Sequence, residues 1–413
     1  MLSHLEGSLS GLRYDADQLI GLDPSDGRPL LARYDLKGSR PRRGDSLWRW
    51  KDLLPVRDGR FITSLGEGGT PLLDAPRAGR LLGLAHLRIK AESLNPTGSF
   101  KARGMAVAVS RAVELGAAHL VAPSAGNAGG ALAAYAAAAG VQATVVMPAD
   151  APRPNQEEVL VAGARLVLMN GLISDCGRFA GRLAAECEAF DLSTLKEPYR
   201  VEGKKTMGFE LAEQCGWELP DAVVYPAGGG TGLIGLWKAF AELESLGRIG
   251  PRRPRMFAVQ SDGCAPYVRA FESGARFAEP WLDARTAAAG IRVPGSVGDF
   301  LVLDCLRESE GAGLAVPEPE IREMQARLAR AGAGYVSLET AAAALGAAAA
   351  RECGLVDAGE RVVLFDTGAG FKSEAPAVEL PAPISADENT WEAALAGLQQ
   401  TPTGPEGPAL PAR

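Results

Sequence analysis

The stretch Asn95-Pro96-Thr97-Gly98-Ser99-Phe100-Lys101-Ala102-Arg103-Gly104-Met105 places one lysine between a glycine-containing turn and the start of a predicted helix. Residues 105–115 contain few helix breakers and repeat apolar positions at helical spacing. A lysine whose amine is held in a cleft at such a junction is partly desolvated, and its pKa falls. The amine then becomes a nucleophile that can form a Schiff base with an aldehyde. Taken alone, a lysine after a turn is more simply a surface residue, so this interpretation depends on other motifs.

The composition is that of an ordinary globular protein and argues against several functions. The chain has 413 residues, a length sufficient for two or more domains. Hydrophobic residues make up 46% and charged residues 23%, which is usual for a globular protein. The net charge of -7 argues against binding of nucleic acid through overall charge. No apolar run reaches the roughly 18 residues that a membrane span needs, and residues 1–19 lack the apolar core of a signal peptide. We therefore expect neither a nucleic-acid nor a membrane partner.

Cysteine and histidine usage bears on the compartment and on metal binding. The six cysteines are scattered, with no CxxC pair, and reduced thiols in a cytoplasmic protein are the simplest account. The three histidines, His4, His86 and His119, lie far apart in the sequence. A histidine-based metal site or a Ser-His-Asp triad is therefore not expected.

From residue 83 the chain alternates between short apolar runs and helical patterns. The apolar runs predict strands over 87–89, 119–122, 143–147, 165–169, 222–225, 256–260 and 361–365. The helical patterns predict helices over 105–115, up to residue 139, near 178–189 and up to about residue 246. Such alternation implies right-handed βαβ units and parallel sheets, and thus the α/β fold class. Ligands of such sheets bind at the carboxyl ends of the strands.

Three more loops follow predicted strands, and each allows a structural or a functional interpretation. Gly228-Gly229-Gly230-Thr231-Gly232 suits a phosphate because backbone N–H groups and a helix N-terminus converge there, although a tight turn explains it equally well. Ser124-Ala125-Gly126-Asn127-Ala128 suits a carboxylate, with Asn127 either a donor to a ring oxygen or a helix N-cap. Asp366-Thr367-Gly368-Ala369-Gly370 offers the Thr367 hydroxyl to a buried partner, or is a cap or turn.

Together the four motifs fit one ligand. An aldehyde cofactor needs a lysine, a phosphate cradle, a partner for its phenolic oxygen and a partner for its ring nitrogen. Pyridoxal 5'-phosphate needs all four. The order of the motifs along the chain resembles that of the fold-type II pyridoxal-phosphate enzymes, also called the tryptophan synthase β family. The resemblance implies two parallel-sheet domains with the cofactor in the cleft between them.

The resemblance also implies a role for each motif. It makes Lys101 the residue that carries the cofactor and Asn127 the partner of its phenolic oxygen. It gives the cofactor phosphate to the loop Gly228, Gly229, Gly230, Thr231 and Gly232. Thr367 would meet the pyridine nitrogen, and a hydroxyl there, in place of a carboxylate, leaves that nitrogen largely unprotonated. Such a site suits β- and γ-chemistry on amino acids better than transamination.

Within this family the chain resembles the threonine synthases over roughly residues 47–375. The likeness is carried by Gly66-Glu67-Gly68-Gly69-Thr70-Pro71-Leu72, by the lysine motif, by Glu202-Gly203-Lys204-Lys205-Thr206 and by the Thr367-Gly368 ending. It implies conversion of O-phospho-L-homoserine and water to L-threonine and phosphate, with Lys101 moving the α- and β-protons. It further implies a homodimer that acts on a small amino-acid substrate.

Three residues depart from the usual threonine synthase pattern. Ala102 follows the lysine where many members have Asp, and Ala128 and Gly129 stand where hydroxyls commonly help to bind the substrate phosphate. Other cations would then be needed. We predict substrate contacts at Ser124, Ala125, Gly126, Ala128, Lys204, Lys205 and Thr206. Arg153 and Arg178 are further candidate cations. Each of these four lysines and arginines also fits a solvated surface charge.

The departures leave alternatives open. The lysine motif is also close to that of the serine and threonine dehydratases, so a dehydratase or another β- or γ-elimination or replacement enzyme is the second interpretation. A non-catalytic relative that binds the cofactor is a third.

The resemblance also predicts how the chain divides into domains. The predicted parts are an N-terminal arm over 1–60, a large cofactor-binding domain over 61–103 plus 199–375, a small mobile domain over 104–198, and a tail rich in proline and alanine over 376–413. Within the tail we predict a short helix over 391–398 and disorder over 401–413.

Overall fold

The computed structural model describes residues 1–373 and, in the tail, 382–384, 386–388, 391, 392 and 395. The chain forms two compact units, Met1–Glu374 and Ala375–Arg413. In the second unit, residues 391, 392 and 395 have helical conformation. The predicted disorder over 401–413 lies outside the described residues, as does most of the predicted helix over 391–398.

Strands and helices alternate along most of the first unit. The helices are α1 (Pro76–Leu82), α2 (Lys101–Glu114), α3 (Asn127–Ala139), α4 (Arg153–Val161), α5 (Ile173–Glu186), α6 (Tyr199–Gln214), α7 (Thr231–Ser245), α8 (Pro266–Glu272), α9 (Asp299–Glu308), α10 (Glu320–Leu328) and α11 (Leu338–Glu352). The strands are β1 (Leu2–Gly7), β2 (Arg13–Tyr14), β3 (Leu30–Tyr34), β4 (Leu72–Asp74), β5 (His86–Ala91), β6 (His119–Pro123), β7 (Gln142–Pro148), β8 (Arg165–Met169), β9 (Phe190–Asp191), β10 (Ala222–Pro226), β11 (Arg255–Ser261), β12 (Ala312–Val316) and β13 (Arg361–Asp366). Each strand predicted from the sequence lies within one of these and is confirmed.

Two sheets carry the α/β part of the fold. The larger has the strand order β12-β11-β10-β13-β5-β4 and is parallel except for β4, which runs antiparallel to β5. The smaller has the order β8-β7-β6-β9 and is parallel throughout. The predicted α/β class with two parallel-rich sheets is confirmed.

The N-terminal residues form a third, antiparallel sheet that the sequence did not indicate. Its strand order is β2-β1-β3. Leu5, Leu30 and Ala32 from this sheet are buried in one hydrophobic cluster with residues of α2 and α3. The helix bearing Lys101 is therefore covered by the N-terminal segment on one side.

Several predicted boundaries differ from the structure. Helix α2 begins at Lys101 itself, before the predicted start at residue 105, and α5 begins at Ile173, where the pattern indicated a helix near 178–189. Strands β4, β9 and β12 escaped prediction because the first two are only three and two residues long and β12 is built mainly of Ala and Gly. No helix in the described part of the chain is long and apolar enough to cross a membrane.

Candidate active site

One cleft collects the loops that follow strands of both parallel sheets. It encloses about 1020 Å³ of empty space, part of it open to solvent. Its lining includes residues that directly follow β6, β10 and β13. Twelve of the predicted site residues line it, namely Lys101, Ser124, Ala125, Gly126, Asn127, Ala128, Gly228, Gly229, Gly230, Thr231, Gly232 and Thr367. Fold and strand order thus bring together motifs that lie far apart in the sequence.

The lysine loop and the threonine loop are joined by their backbones. The Phe100 N–H donates a hydrogen bond to the Thr367 carbonyl at 3.1 Å. Ser99 and Gly368 pair as an isolated antiparallel bridge. Lys101 is the first residue of α2, so these bonds fix its position beside Thr367.

The Lys101 amine has the electrostatic environment of a nucleophile. Burial, assisted by the positive charge of Arg200, lowers the pKa of Lys101 to about 7, while Glu339 acts in the opposite direction. The amine nitrogen lies 4.5 Å from the centroid of the Phe100 ring. Near neutral pH a large fraction of the amine is therefore uncharged and able to attack an aldehyde.

The glycine loop lies so close to its neighbours that side chains would collide with them. A Cβ atom on Gly228 would lie 2.3 Å from the Gly290 carbonyl oxygen, and one on Gly232 would lie 2.0 Å from the Tyr225 hydroxyl. Gly230 precedes α7 with a φ of +80° that favours glycine. The loop presents backbone to the cleft at a helix N-terminus, which is the arrangement that binds phosphate.

The asparagine loop leaves one polar atom without a partner. The Oδ1 atom of Asn127 is buried and accepts no hydrogen bond from any residue that the structure describes. Its Nδ2 atom lies 3.2 Å from where a Cβ on Gly368 would stand, so the amide faces the threonine loop. The Ser124 hydroxyl accepts from the Gly126 and Gly129 N–H groups at 3.1 and 2.9 Å. Ser124 thus stabilises the loop, while Asn127 is available to a ligand.

Thr367 is held by its main chain. Its N–H donates to the Thr340 hydroxyl at 3.1 Å, and that hydroxyl donates to Asp366 at 2.9 Å. Burial raises the pKa of Asp366 to about 6, although hydrogen bonds from Ser93 and Thr340 act against it. Thr367 also lines the cleft.

The predicted substrate contacts in α6 do not line the cleft. Lys205 is fully buried and forms ion pairs with Glu202 at 2.6 Å and Glu242 at 3.0 Å. Thr206 accepts a hydrogen bond from Arg103 at 3.0 Å. Lys204 is buried with its amine 4.8 Å from the Phe100 ring centroid and with no hydrogen-bond partner in the described chain.

The two arginines proposed as further cations are surface residues. Arg153 pairs with Glu157 and Arg178 pairs with Asp175, both at most 2.6 Å apart and both with arginine side chains more than three-quarters exposed. Neither lines the cleft. Both sit one helical turn from their partners on exposed helix faces, which is the ordinary position of a solvated charge.

Three of the motifs that carry the resemblance to threonine synthases each contribute one residue, Thr70, Arg103 or Thr206, to a buried ionic network. Arg103 donates to Glu92 through Nε at 2.6 Å and to Glu210 through Nη1 and Nη2 at 2.7 and 2.6 Å. Thr70 donates to Glu92 at 2.6 Å, and Lys90 donates to Glu210 at 3.1 Å. Burial raises the pKa of Glu210, but Arg103, Lys90 and the Gly69 N–H together more than offset this and hold the pKa below its ordinary value. These motifs therefore fix the helix that begins at Lys101.

Arg200 is a charged group near Lys101 that sequence reasoning missed. Its side chain is buried, and its Nη1 atom donates to the Leu192 carbonyl at 2.7 Å. Its Nε and Nη2 atoms have no partner among the residues described. Arg200 lies two residues before the Glu202–Thr206 motif, so extending that motif towards the start of α6 would have found it.

Glu339 is the second missed group. It lines the cleft from the first turn of α11. In the sequence it lies two residues after Ser337, the N-cap of α11. An acidic residue in the first turn of a helix ordinarily stabilises the helix dipole, so the sequence alone suggests no other role. Only the packing of α11 against the cleft distinguishes it from such a residue.

Comparison with known proteins assigns the chain to a family. The sequence pattern of the family described as "Pyridoxal-phosphate dependent enzyme" matches residues 63–368. The chain belongs to this family. The first three motifs lie inside the matched range, which ends at Gly368 within the fourth, and the predicted dependence on pyridoxal phosphate and the predicted fold-type II architecture are confirmed.

Relatives cover most of this pyridoxal-phosphate-dependent enzyme. A threonine synthase of Methanocaldococcus jannaschii is 34% identical over 400 residues, which cover 94% of this chain and 98% of that protein. A threonine synthase of Methanosarcina acetivorans is 36% identical over 324 residues, covering 78% of this chain and 79% of that one. Among solved structures, a threonine deaminase from the organism abbreviated T.th. superposes with a TM-score of 0.61 at 28% identity, covering 76% of this chain and 94% of that one.

The residues of the cleft fit pyridoxal phosphate. The cleft offers a buried primary amine, the side-chain amide of Asn127, whose Nδ2 group can donate to a ring oxygen, the Thr367 residue with its hydroxyl, and a glycine-lined helix N-terminus. These match the aldehyde, the phenolic oxygen, the ring nitrogen and the phosphate of the cofactor, respectively. The glycine loop has no room for side chains, as a loop that touches phosphate through its backbone requires.

The glycine loop gives a direct test of cofactor binding. Gly228→Ala is expected to weaken pyridoxal phosphate binding about tenfold or more, because the new Cβ meets the Gly290 backbone carbonyl at 2.3 Å. The measurement is a fluorescence titration of the apoenzyme with the cofactor. Gly177→Ala in α5 is the matched control, since a Cβ there meets nothing within 4 Å and cofactor affinity should not change. Equal affinities for both variants would contradict the placement of the phosphate.

Proposed function

We propose that this enzyme is a threonine synthase, which converts O-phospho-L-homoserine and water to L-threonine and phosphate. The observation that carries the proposal is the alignment with the M. jannaschii threonine synthase over 98% of that protein's length. An alignment that spans both chains nearly end to end supports a shared activity more strongly than a match to one domain would.

The residues of the cleft support the proton transfers of this reaction. Bound pyridoxal phosphate supplies an electron sink for the substrate α-carbon. Lys101, whose pKa burial lowers to about 7, can take a proton and return it at neutral pH. We assign it removal of the α-proton and transfer of the β-proton, while phosphate leaves from Cγ and water adds at Cβ. Thr367 and Asn127 would orient the cofactor.

Arg200 can supply the cation that a phosphate ester needs. Ala128 and Gly129 offer no hydroxyl, and a Cβ at Gly129 would already lie 2.5 Å from the Met147 methyl group. Arg200 is buried and, like Lys204 and Lys205, is not among the residues that line the cleft. It has two guanidinium nitrogens without partners in the described structure, and it acts electrostatically on Lys101. A guanidinium binds phosphate through two parallel hydrogen bonds. We therefore propose that Arg200 turns its free nitrogens towards the leaving phosphate when substrate binds, in place of Lys205, which is already paired.

Substitution of Arg200 separates substrate recognition from cofactor binding. Arg200→Met is expected to raise KM for O-phospho-L-homoserine at least about tenfold, because a charged hydrogen bond of about 1.5–3 kcal/mol is lost, while the visible cofactor band persists. Steady-state kinetics and an absorption spectrum measure both. Arg153→Met removes an exposed, paired arginine and should leave KM unchanged. An Arg200→Met enzyme with the original KM would refute the assignment.

Deamination of serine or threonine is the second candidate. Its support is the alanine and glycine at positions 128 and 129 and the likeness to the T.th. threonine deaminase. The two candidates differ in their substrates and products. Purified enzyme given O-phospho-L-homoserine should release threonine and phosphate in equal amounts if it is a threonine synthase. Release of ammonia and a 2-oxo acid from threonine, with no reaction of phosphohomoserine, would favour the deaminase.

We also propose that the enzyme is a cytoplasmic homodimer.

Within each protomer we propose that a small domain over 104–198 closes on the substrate. Two ion pairs support this closure, since each joins a residue of this segment to a residue of the predicted large domain. Glu158 of α4 pairs with Lys372, and Asp150 pairs with Arg292 at 3.1 Å. Lys372 and Arg292 also line the cleft, so closing and opening the cleft would make and break these pairs.

A further inference from the structure

Among the described residues, Glu339 is the single carboxylate that lines the cofactor cleft. The other charged residues of the lining are Lys101, Arg292 and Lys372. Arg292 is paired with Asp150, and Lys372 is paired with Glu158. Glu339 is therefore the negatively charged residue of the lining that acts electrostatically on the Lys101 amine.

The Glu339 carboxylate is held in place by the main chain of a neighbouring loop. Its Oε1 atom accepts a hydrogen bond from the Gly290 N–H at 2.7 Å. Gly290 lies in the short helical turn Ala289–Ile291, and its carbonyl oxygen packs against Gly228 of the glycine loop. The carboxylate is thus fixed in position between the start of α11 and the loop that faces the cofactor phosphate.

Charges from two helices act on the Lys101 amine in opposite directions. From α6, Arg200 lowers the pKa of Lys101, in addition to the larger effect of burial. Lys204, also in α6, faces the same Phe100 ring as Lys101, and burial together with Arg200 and Lys101 holds the pKa of Lys204 well below its usual value. From α11, Glu339 raises the pKa of Lys101. Glu339 is the only one of these groups that favours the protonated amine.

We propose that Glu339 is a positioning residue for the Lys101 amine, whose carboxylate balances Arg200 and so sets the pH range in which Lys101 exchanges protons and attaches the cofactor. The proposal rests on the assignment of Lys101 as the cofactor lysine. A group that both takes and returns a proton works best when its affinity for the proton matches the operating pH. Without Glu339, burial and Arg200 would act unopposed, and the amine would give up its proton too readily to return it to the substrate.

Attachment of pyridoxal phosphate to the full-length apoenzyme tests the proposal, because only the neutral amine reacts with the aldehyde. The initial rate of appearance of the visible band is measured from pH 5.5 to pH 8.5 with the cofactor as probe. Glu339→Gln keeps an oxygen acceptor for the Gly290 N–H and removes the charge. Its rate should rise about threefold over the unchanged enzyme near pH 6, because loss of the carboxylate favours the neutral amine. The acid limb of the profile therefore moves to lower pH.

Two further variants separate the charge from the hydrogen bond. Glu339→Asp keeps the charge and should restore most of the original profile. Glu318→Gln is the matched control, since Glu318 accepts from the Ala287 N–H of the same loop at 2.7 Å but does not line the cleft. Its profile should superpose on that of the unchanged enzyme.

Three results would overturn the proposal. They are an unshifted Glu339→Gln profile, a shift to higher pH, and an equal shift in Glu318→Gln. A visible band that develops in Lys101→Ala would instead refute the lysine assignment, so the two failures are distinguishable.

Discussion

Lys101→Ala is expected to lose the visible absorption of the bound cofactor and to lower turnover on the order of 10⁴-fold or more. The physical reason is that, in the proposed mechanism, Lys101 supplies both the amine that attaches the cofactor and the base that moves the substrate protons. Its pKa, brought to about 7 by burial, makes both roles possible near neutral pH. The measurements are an absorption spectrum of the purified variant and an assay of phosphate release.

Lys101→Arg is the matched control for this prediction. It keeps a long basic side chain at the start of α2 but lacks a primary amine, so it should be as inactive as Lys101→Ala if nucleophilicity is what matters. Far-ultraviolet circular dichroism checks that both variants fold. A visible band in either variant would contradict the account, because it would show that another amine attaches the cofactor.

Arg103→Ala is expected to lower the free energy of unfolding by about 3–5 kcal/mol. Arg103 is fully buried and holds Glu92 and Glu210 through charged hydrogen bonds no longer than 2.8 Å. Its removal leaves two buried carboxylates with Lys90 as their nearest remaining cation, at 3.8 and 3.1 Å. The loss of stability should be accompanied by loss of cofactor, since α2 positions Lys101. Urea denaturation of the holoenzyme measures it.

Arg153→Ala provides the contrast. Arg153 forms an exposed pair with Glu157 one helical turn away, and such pairs contribute about 0.3–0.5 kcal/mol. If Arg103→Ala destabilised the enzyme no more than Arg153→Ala does, the buried network would not be what holds the lysine helix.

The grouping of the proposed cofactor-binding loops in one cleft could be predicted from the sequence because their signals are local. A lysine at a turn, a run of glycines and an asparagine at a helix start each follow a recognisable strand, and strand ends of parallel sheets meet at one edge. Lys101, Asn127, Gly228 and Thr367 accordingly meet in one cleft. The β-strands with strong apolar runs were found for the same reason.

The substrate side could not be predicted because it depends on packing between helices. Residues 202–206 read as a polar, solvated segment, yet every residue of 199–212 is buried. Helix α6 packs against both α2 and α7, and its charges are offset by partners distant in sequence, as Glu242 offsets Lys205. No periodicity in the sequence indicates which of Arg200, Lys204 and Lys205 remains unpaired. Glu339 was missed for a similar reason, because its position in the cleft depends on the placement of α11.

Reduction of the holoenzyme with borohydride, followed by mass spectrometry of its peptides, tests the central claim most directly. Reduction fixes the cofactor permanently to the nitrogen that carries it. We expect the added mass on the peptide that contains Lys101 and on no other. Because Lys204 lies beside the same Phe100 ring, it is the most informative competitor. Modification of Lys204, of any other lysine, or of none would contradict the account of this cleft as the site where Lys101 binds pyridoxal phosphate.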